Sequence, residues 1–443
     1  MEQFYLDKIK LNNYRQFSDK EFIFDKNMNV LIGANSSGKT TVIEAVCVIL
    51  GAYLAAFKKY VPSRFVFNIT EMDVYRKLHI EDQKDVLISS DIAQYPCGVE
   101  SCLHMDGEEY TFRRVLEKSG GRTKFDGNNP MQKTVVSWES TIAKATGEDQ
   151  SLIFPLVLYL SSARLWNEDK NKSKSENVPS RLDGYYRCLD RKRGSQFTFN
   201  YLKKLSEISS QEKNGVQFPA YTLIMDAIRF SMKDELKSGE RIEYSFRYNG
   251  LALVKADGTW IPFESMSDGY RGVIKIVTDI ATRMCILNPY LKEETLKRTP
   301  GIVVIDELDL SLHPGWQKRI VNILQSLFPR VQFICASHSP FIIQSLKEGQ
   351  LISMDGLIKD EYAGQSIEDI AEDIMGIPNP QYSDEKQEMY KLAEEFYQNL
   401  NQAKNPEDLK EIKEKLDLLI ARFGDNPAYY AFLQQKYLEK IVE

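Results

Sequence analysis

The chain of 443 residues lacks several features that would direct it to other classes of protein. No apolar run approaches the roughly 20 residues that a membrane helix needs, so no transmembrane span is expected. The N-terminus, Met1-Glu2-Gln3-Phe4, has neither the basic start nor the long apolar stretch of a secretion signal. The hydrophobic fraction of 43% and the charged fraction of 27% predict a soluble globular protein with an ample core.

Cysteine and net positive charge are also scarce. The six cysteines are scattered, and Cys47, Cys285 and Cys335 lie inside apolar runs, which is typical of reduced core thiols in a cytoplasmic protein. The net charge of −6 gives no general support for nucleic-acid binding, so any contact with DNA would need a local basic patch. Arg187 with Arg191-Lys192-Arg193 is the densest candidate, although such short runs are usually solvated surface.

A phosphate-binding loop is the most informative feature that is present. Residues Gly33–Thr40 match the pattern G-x-x-x-x-G-K-[ST], after a buried strand predicted at Met28–Ile32 and before a run with helical spacing at Thr41–Leu50. Backbone N–H groups of such a loop and the N-terminus of the next helix bind phosphate. We expect Lys39 on the β- and γ-phosphates of a nucleoside triphosphate, and the Thr40 hydroxyl on Mg²⁺. The full set of expected nucleotide contacts here is Asn35, Ser36, Ser37, Gly38, Lys39, Thr40 and Thr41.

Two later strands end in residues that suit nucleotide hydrolysis. The strand predicted at Ile302–Ile305 delivers Asp306, expected to hold Mg²⁺ together with Thr40, and Glu307, expected to polarise the attacking water. The strand predicted at Val331–Ala336 is followed by His338, which from that position could hydrogen-bond a γ-phosphate.

Further strands are predicted from apolar runs and turn signals. Leu152–Leu160 is expected to form another buried strand. The pairs Asp106-Gly107, Asn249-Gly250 and Asp257-Gly258 each separate alternating segments, which favours β-hairpins.

A second potential anion site precedes the long amphipathic helix predicted at Asp268–Leu287. Ser267-Asp268-Gly269-Tyr270-Arg271 alone is a weak signal for a turn and a helix cap. Its position between the lysine loop and the acidic strand makes it informative.

The order of these motifs resembles that of the ATP-binding cassette (ABC) ATPases of the RecF, SMC and OLD group. The resemblance implies an α/β ABC-ATPase (P-loop) cassette with an antiparallel β subdomain, a helical signature-bearing lobe and a C-terminal helical extension. It also implies ATP and Mg²⁺ as cofactors and a head-to-tail homodimer, or a higher oligomer of dimers, with composite sites. Ser267 and Gly269 would then contact ATP bound by the partner copy, and Arg271 would assist them.

Other residues take their expected roles from the same resemblance. Leu310–His313 would be the D-loop between subunits, with His313 where transporters carry aspartate, and His338 matches the switch histidine. Asn13-Tyr14-Arg15-Gln16-Phe17 resembles the N-[FY]-R-x-F start of RecF-type cassettes and implies that Arg15 contacts the nucleotide. The chain lacks the long coiled-coil arm of SMC proteins, and no clean Q-loop glutamine is found; Ser161–Arg164 occupies that region.

These motifs predict a division of the chain. Residues 1–165 and 260–360 would form the two-lobed cassette, and residues 166–259 a helical and β insertion leading to the signature. Residues 361–443 would be a helical extension for partner binding or oligomerisation, or would simply pack on the cassette.

Further segments resemble a compact group of bacterial ATPases found in Septu anti-phage systems and with retrons. These segments are Tyr159–Trp166, Arg181–Tyr185 with Cys188–Asp190, and Ser366–Ile370 continuing to Met375–Pro378. The resemblance implies an ATPase that senses and regulates a separate HNH nuclease in anti-phage defence, in the cytoplasm, with DNA as a further candidate partner and no membrane. Alternatives are a stand-alone RecF-like DNA-repair ATPase, a retron-associated ATPase effector, and a binding module with vestigial hydrolysis.

A nuclease centre within the chain is not expected. The four histidines, His79, His104, His313 and His338, form no H-N-H pair, and two of them already belong to the cassette motifs. Cys97 and Cys102 with His104 suggest zinc, but four ligands are hard to find, so ordinary strand residues are favoured.

Overall fold

The fold was examined in a computed structural model that describes most of the chain. The described residues are 3–57, 65–83, 86–144, 152–165, 180–211, 219–356, 362, 364–402, 412–417, 431 and 433–438. They fall into two compact units, residues 1–365 and 366–443. Within this described part, no helix combines the length and the apolarity that crossing a bilayer requires. The predicted separation of the cassette from a 166–259 insertion stays a prediction.

The elements are numbered here in chain order. The strands are β1 (Phe4–Tyr14), β2 (Phe17–Ile23), β3 (Met28–Ile32), β4 (Arg76–Gln83), β5 (Val86–Ala93), β6 (Cys97–Met105), β7 (Glu108–Leu116), β8 (Lys124–Phe125), β9 (Leu156–Leu160), β10 (Arg241–Ser245), β11 (Gly250–Val254), β12 (Trp260–Pro262), β13 (Gly301–Ile305), β14 (Val331–Ala336) and β15 (Leu351–Ser353). The helices are α1 (Lys39–Leu54), α2 (Gln132–Lys144), α3 (Gln196–Gln211), α4 (Pro219–Met232), α5 (Asp268–Leu287), α6 (Thr295–Arg298), α7 (Pro314–Leu327), α8 (Pro340–Gln344), α9 (Ile367–Asp369) and α10 (Asp384–Gln402).

A parallel sheet positions the candidate site. Its strand order is β15-β3-β14-β13-β9, and every neighbouring pair is parallel. All residues of β3, β9, β13 and β14 are buried, which explains why these strands are continuous apolar runs instead of alternating ones. The predicted strands at Met28–Ile32, Ile302–Ile305 and Val331–Ala336 are confirmed, and the fold is the expected α/β type.

The strand predicted over Leu152–Leu160 is shorter than the apolar run. β9 begins only at Leu156 because Phe154 gives its backbone hydrogen bonds to a side chain. Its N–H donates to Asn288 Oδ1 and its carbonyl accepts from Asn288 Nδ2, both at 2.8 Å. The following Pro155 has no N–H with which to continue a ladder. The prediction was therefore wrong at its first four residues.

An antiparallel sheet of order β2-β1-β6-β7-β8 forms the second layer of strands. The hairpin predicted at Asp106-Gly107 joins β6 to β7, with φ of 56° and 89° at these two residues, as a tight hairpin turn requires. Between Leu6 and Lys8 the pairing of β1 with β6 shifts in register, so β1 carries a bulge there. The predicted turns at Asn249-Gly250 and Asp257-Gly258 join β10, β11 and β12 in a separate small sheet.

Helix α5 has the bounds expected from its sequence, Asp268–Leu287, and is buried over most of its length. A buried cluster of ion pairs connects α5 to residues that precede α3. Asp279 accepts from Arg193 at 2.6 Å and from Arg283 at 2.8 Å, and all three side chains are at most 5% exposed. Arg283 Nη1 also donates to the carbonyls of Gly184 and Tyr186 at 2.6 and 3.0 Å.

The second unit is mainly helical in its described residues, as predicted for the C-terminal region, with a non-helical stretch at 375–383 before α10. Ser366 caps α9 by accepting from Asp369 N at 3.1 Å, and α10 follows, with further helical turns at 412–417 and 433–438. Its own apolar core consists of Met389, Ala393, Phe396, Leu400, Ile412, Leu416, Leu433 and Tyr437.

Candidate nucleotide-binding site

The candidate site lies at the carboxyl edge of the parallel sheet. Because all five strands point the same way, the residues that follow them meet at one edge, where α/β folds commonly bind ligands. The residues after β3, β13 and β14 contribute to a cavity of about 360 Å³. Its lining comprises Gln16, Asn35, Ser36, Gly38, Lys39, Thr40, Thr41, Asp306, Glu307, Ala336 and His338. The phosphate loop (Gly33–Thr40), the acidic strand end and His338 are thus brought together.

Local backbone geometry gives the phosphate loop its shape. Gly33, Ser36 and Gly38 have φ of 153°, 70° and 104°. At Gly38, which is the N-cap of α1, a Cβ atom would lie 2.1 Å from Gln16 Nε2, so both the conformation and the space require glycine. Ser37 Oγ is buried and has no hydrogen-bond partner among the described residues, which suits a group that awaits a ligand.

The charge of Lys39 is held inside the loop. Its side chain is only 7% exposed, and Nζ donates to the carbonyls of Gly33 and Ala34 at 2.7 and 3.0 Å. Burial lowers the pKa of the Lys39 ammonium, an effect that the carboxylates of Asp355 and Asp306 oppose. A phosphate would replace the two carbonyls as the partner of this ammonium.

Oxygen ligands for a cation stand beside the lysine. Thr40 Oγ1 lies 3.5 Å from Asp306 Oδ1, and a hydroxyl with a carboxylate is the donor set that Mg²⁺ prefers. Asp306 is buried, whereas Glu307 and His338 are exposed toward the cavity that they line. Glu307 has a left-handed backbone, with φ of 53°, and such outliers cluster at functional sites. The residues therefore fit a magnesium nucleotide.

Sequence reasoning missed two residues of this neighbourhood. Gln16 lines the cavity; its Oε1 accepts from Thr41 Oγ1 at 3.0 Å and its Nε2 donates to Ser36 O at 3.5 Å. Asp355 follows β15, and its Oδ2 accepts from Ala34 N at 3.1 Å. A short strand followed by Asp-Gly at 355–356 could have indicated Asp355 as a residue of this site. That strand, β15, pairs with β3 and so ends beside the phosphate loop.

Arg15 is not among the described residues that line the cavity, although its neighbour Gln16 is. Its guanidinium pairs with Glu44 and, at 2.8 Å, with Asp73. Glu44 also accepts from Arg191 at 2.7 Å, so this helix α1 carboxylate joins two arginines behind the loop. In this arrangement Arg15 serves as part of an ion-pair network, and its contact with nucleotide stays a prediction.

The signature segment (Ser267–Arg271) and the D-loop segment (Leu310–His313) meet each other instead of the cavity. A Cβ atom on Gly269 would lie 3.3 Å from Ser311 O and 3.9 Å from His313 N. Ser267 is exposed and caps α5 without a side-chain hydrogen bond. His313 caps α7, its Nδ1 accepting from Gly315 N at 3.3 Å, and Arg271 pairs with Asp268. None of these predicted site residues is among the described residues that line the Lys39 cavity.

Comparisons with known proteins agree with this site. A family model described as an AAA domain matches residues 8–218, and one described as an AAA ATPase domain matches residues 157–343. Together they span the phosphate loop, the signature segment, the acidic strand end and His338.

Relatives at low identity extend along much of the chain. The retron Vc95 probable ATPase of Vibrio cholerae serotype O1 biovar El Tor is 24% identical over 387 residues, 78% of this chain and 72% of its own length. The Septu protein PtuA of Bacillus thuringiensis is 22% identical over 431 residues, 94% of each chain.

Shorter or more distant matches complete the comparison. The DNA replication and repair protein RecF of Acetivibrio thermocellus is 48% identical over 42 residues, 10% of this chain and 11% of its own length. Among solved structures, the SMC head domain from Thermotoga maritima aligns with 79% of this chain and 94% of that chain, at 15% identity and a TM-score of 0.40. The family models and relatives show that the chain is an ATPase, similar to the Septu PtuA proteins and the retron ATPases and, over a short stretch, to RecF.

Proposed function

We propose that two copies of this chain hydrolyse ATP at composite sites and thereby regulate a separate HNH-type nuclease in anti-phage defence. The proposal rests first on the separation of two groups of phosphate-binding residues within one chain. Lys39, Thr40, Asp306, Glu307 and His338 share one cavity, whereas the signature and D-loop segments adjoin each other outside it. A second copy, turned head to tail, would bring its Ser267 and Gly269 to the nucleotide of the first.

Each residue of the cavity has a role that follows from its chemistry. Lys39 and the loop N–H groups would bind the phosphates, while Thr40 and Asp306 would hold Mg²⁺, which supplies Lewis acidity when bound. The exposed Glu307 carboxylate would accept a hydrogen bond from the attacking water and orient it. His338 would donate to the γ-phosphate, its backbone N–H being held by Asp309 Oδ1 at 3.3 Å.

Glu307→Gln is the variant that tests the hydrolytic part. It keeps the shape and the hydrogen-bonding capacity of the side chain but removes its basicity, so we expect turnover to fall by a factor of about 10² to 10⁴. Nucleotide affinity should stay within about twofold, and an ATP-dependent dimer should become more stable because the bound ATP persists. The measurements are ATP turnover, equilibrium nucleotide binding and sedimentation with and without ATP. Unchanged turnover would remove Glu307 from its assigned role.

The defence role draws on the extent of the similarity. It runs through 94% of this chain for the Septu PtuA of Bacillus thuringiensis, far beyond the loop motifs that any P-loop ATPase would share. We assign the cleavage to a separate nuclease because the sequence has only four histidines, two of them in the cassette motifs, and no H-N-H pair. The test is co-expression with the neighbouring reading frame, followed by phage plaque counts. Protection should require both proteins, and it should be lost with Lys39→Ala.

A retron-associated effector is the second candidate, because the retron Vc95 ATPase aligns over 78% of this chain. A reverse transcriptase gene beside this one, with loss of protection when it is deleted, would favour that role. A RecF-like repair function is less supported, since the RecF match is confined to 10% of the chain. Turnover that duplex DNA stimulates in the purified protein alone, with no partner required, would support repair instead.

A further inference from the structure

Three side chains of metal-binding type lie together on the antiparallel sheet, away from the nucleotide cavity. Asp7 on β1 and Cys102 and His104 on β6 each offer one ligand atom, and these three atoms all lie within 4.8 Å of one another. No part of the proposed ATPase mechanism uses any of them. Cys97, which the sequence grouped with Cys102, is fully buried, and its thiol donates to Asp73 O at 3.5 Å.

The sheet geometry explains how the three side chains meet. Cys102 and His104 are two residues apart on β6, so they point to the same face. β1 pairs Tyr5 with His104 and Lys8 with Cys102, and the register shift between Leu6 and Lys8 leaves Asp7 as the extra residue of a bulge. A bulge sets two residues opposite one, which turns the Asp7 carboxylate toward Cys102. The bulge thus completes a cluster that regular pairing would not form.

The spacing of the donor atoms matches a tetrahedral zinc site. Zinc binds thiolate sulfur at about 2.3 Å and imidazole nitrogen at about 2.0 to 2.1 Å, so the two donors of one ion are about 3.6 Å apart. Cys102 Sγ and His104 Nε2 are 3.7 Å apart. The His104 ring is also fixed in orientation, because it stacks on Tyr5 with centroids 4.6 Å apart and an angle of 10° between the planes.

Local charge favours a cation at the same place. The carboxylates of Asp7 and Glu109 both lie close enough to the Cys102 sulfur to interact with its charge. Two carboxylates thus direct negative potential at the sulfur. The Lys8 ammonium pairs with Glu21 at 3.4 Å on the neighbouring strand, and the Lys26 ammonium lies 4.6 Å from the centroid of the Tyr5 ring on which His104 stacks. A divalent ion would compensate the negative charge of these two carboxylates.

We propose that Asp7, Cys102 and His104 bind a zinc-class divalent ion that fastens β1 to β6. Mixed sulfur, nitrogen and oxygen donors select zinc over Mg²⁺, which prefers oxygen alone. The site is structural: it joins β1, whose C-terminal end leads to Gln16 at the nucleotide cavity, to β6, which pairs with β1 from Phe4 to Asn12. It is independent of the proposed function, because it does not require ATP, a second copy or a nuclease.

The experiment uses the tag-free full-length protein without nucleotide. After chelator treatment and dialysis, zinc or cobalt is titrated in, and metal content, cobalt absorbance and melting temperature are recorded. We expect about one ion per chain, a thiolate-to-cobalt charge-transfer band in the near ultraviolet and a melting temperature raised by several degrees. Excess Mg²⁺ should not displace the ion.

Matched variants separate this site from other ligands. Cys102→Ser and His104→Ala should abolish the stoichiometric binding, and Asp7→Asn should weaken it at least about tenfold. Asp19→Asn on β2 and His79→Ala on β4 remove the same residue types elsewhere and should bind metal as the parent does. The proposal is overturned if the parent binds less than about a tenth of an ion per chain, or if Cys102→Ser keeps the thiolate band. Should Cys102→Ser fail to fold, the near-isosteric Asp7→Asn decides, and unchanged affinity there also overturns it.

Discussion

The Lys39 cavity and the face formed by the signature and D-loop segments are both suited to phosphate, but they differ in completeness. In the cavity, the lysine is 7% exposed and already has two carbonyl partners, and cation ligands stand beside it. On the other face, exposed Ser267 is the N-cap of a 20-residue helix, and half-buried Gly269 in its first turn lies next to the backbone of Ser311. That face offers hydrogen-bond donors and a helix dipole, with no lysine among its predicted site residues.

This difference indicates that the cavity and the signature face would contribute different parts of one nucleotide site. A helix N-terminus contributes on the order of 1 kcal/mol to holding an exposed anion, too little to bind ATP alone. The signature face therefore needs a nucleotide that is already fixed elsewhere. The cavity would hold one by itself, and its cleavable phosphate would face outward, toward the exposed Glu307 and His338. Each region supplies what the other lacks, and the predictions below test that division.

The largest expected effect comes from mixing two inactive variants. Lys39→Ala removes the ammonium that would bind the phosphates, and Ser267→Arg blocks the signature face. Each variant alone should therefore lose ATP turnover. In a composite dimer of the two, one site has both of its intact halves. An equal mixture should recover up to about a quarter of the parent rate, because half of the dimers are mixed and each has one good site.

Two controls give this mixing experiment its meaning. Ser267→Arg alone should bind nucleotide with unchanged affinity, whereas Lys39→Ala should not bind it. A double variant carrying both changes in one chain should stay inactive when mixed with Lys39→Ala. If the mixture is inactive and ATP also fails to dimerise a Glu307→Gln background, the two regions do not act across chains.

The second largest effect is expected from the buried ion-pair cluster on α5, the helix that begins in the signature segment. Asp279→Asn removes the carboxylate that two buried guanidinium groups share, leaving both uncompensated, and should cost about 3 to 5 kcal/mol of the free energy of unfolding. The exposed pair of Asp226 with Arg229 on α4 is the control, and Asp226→Asn should cost under about 0.5 kcal/mol. Urea unfolding checks both values. If both variants lose the same free energy of unfolding, the buried Asp279 contributes no more to stability than the exposed Asp226.

The same cluster gives a pH dependence with a definite sign. Burial opposes ionisation of Asp279, but Arg193 and Arg283 overcome it, so the pKa of its carboxyl is lowered in the folded protein. Its stabilisation is therefore present above the unfolded pKa and is lost as the pH falls through the folded one. In Asp279→Asn, the free energy of unfolding should therefore fall less steeply than in the parent as the pH is lowered.

How far the sequence could predict the site depends on how local each feature is. The phosphate loop and its flanking strand and helix occupy 27 consecutive residues, and helix α5 repeats its apolar face over five turns, so both were predictable. Asp355 reaches Ala34 only because β15 pairs with β3, over a separation of 321 residues. Asp7 meets Cys102 only through a bulge, which alternation along β1 does not reveal. Strand order and register decide such contacts, and they depend on the whole fold.

Asp355 offers a moderate test on the cavity side of the comparison. Its exposed carboxylate lies on the phosphate loop and contributes to the negative charge around Lys39. Asp355→Asn keeps an oxygen for Ala34 N–H but removes the charge, so ATP affinity should rise by about two- to fivefold, the exposure limiting the effect. Equilibrium binding at low and high salt measures it. Asp126 is an exposed acid beside β8, and the control variant Asp126→Asn should leave ATP affinity unchanged. If Asp355→Asn instead binds ATP more weakly than the parent, the charge of Asp355 assists binding.

Gln16→Ala should have the smallest effect and tests which side of the division Gln16 belongs to. Its amide spans the loop, from Thr41 Oγ1 at 3.0 Å to Ser36 O at 3.5 Å, so its loss should loosen the cavity mouth. Because the first bond is only part-buried and the second is exposed and long, we expect ATP affinity to fall by only about two- to threefold, with turnover at saturation unchanged. Gln94→Ala, which removes an amide bonded only to nearby Ile92 O, is the control. A tenfold loss of saturated turnover at unchanged affinity would instead assign Gln16 to the hydrolytic step, and a loss of ATP-dependent dimerisation would place it with the signature face.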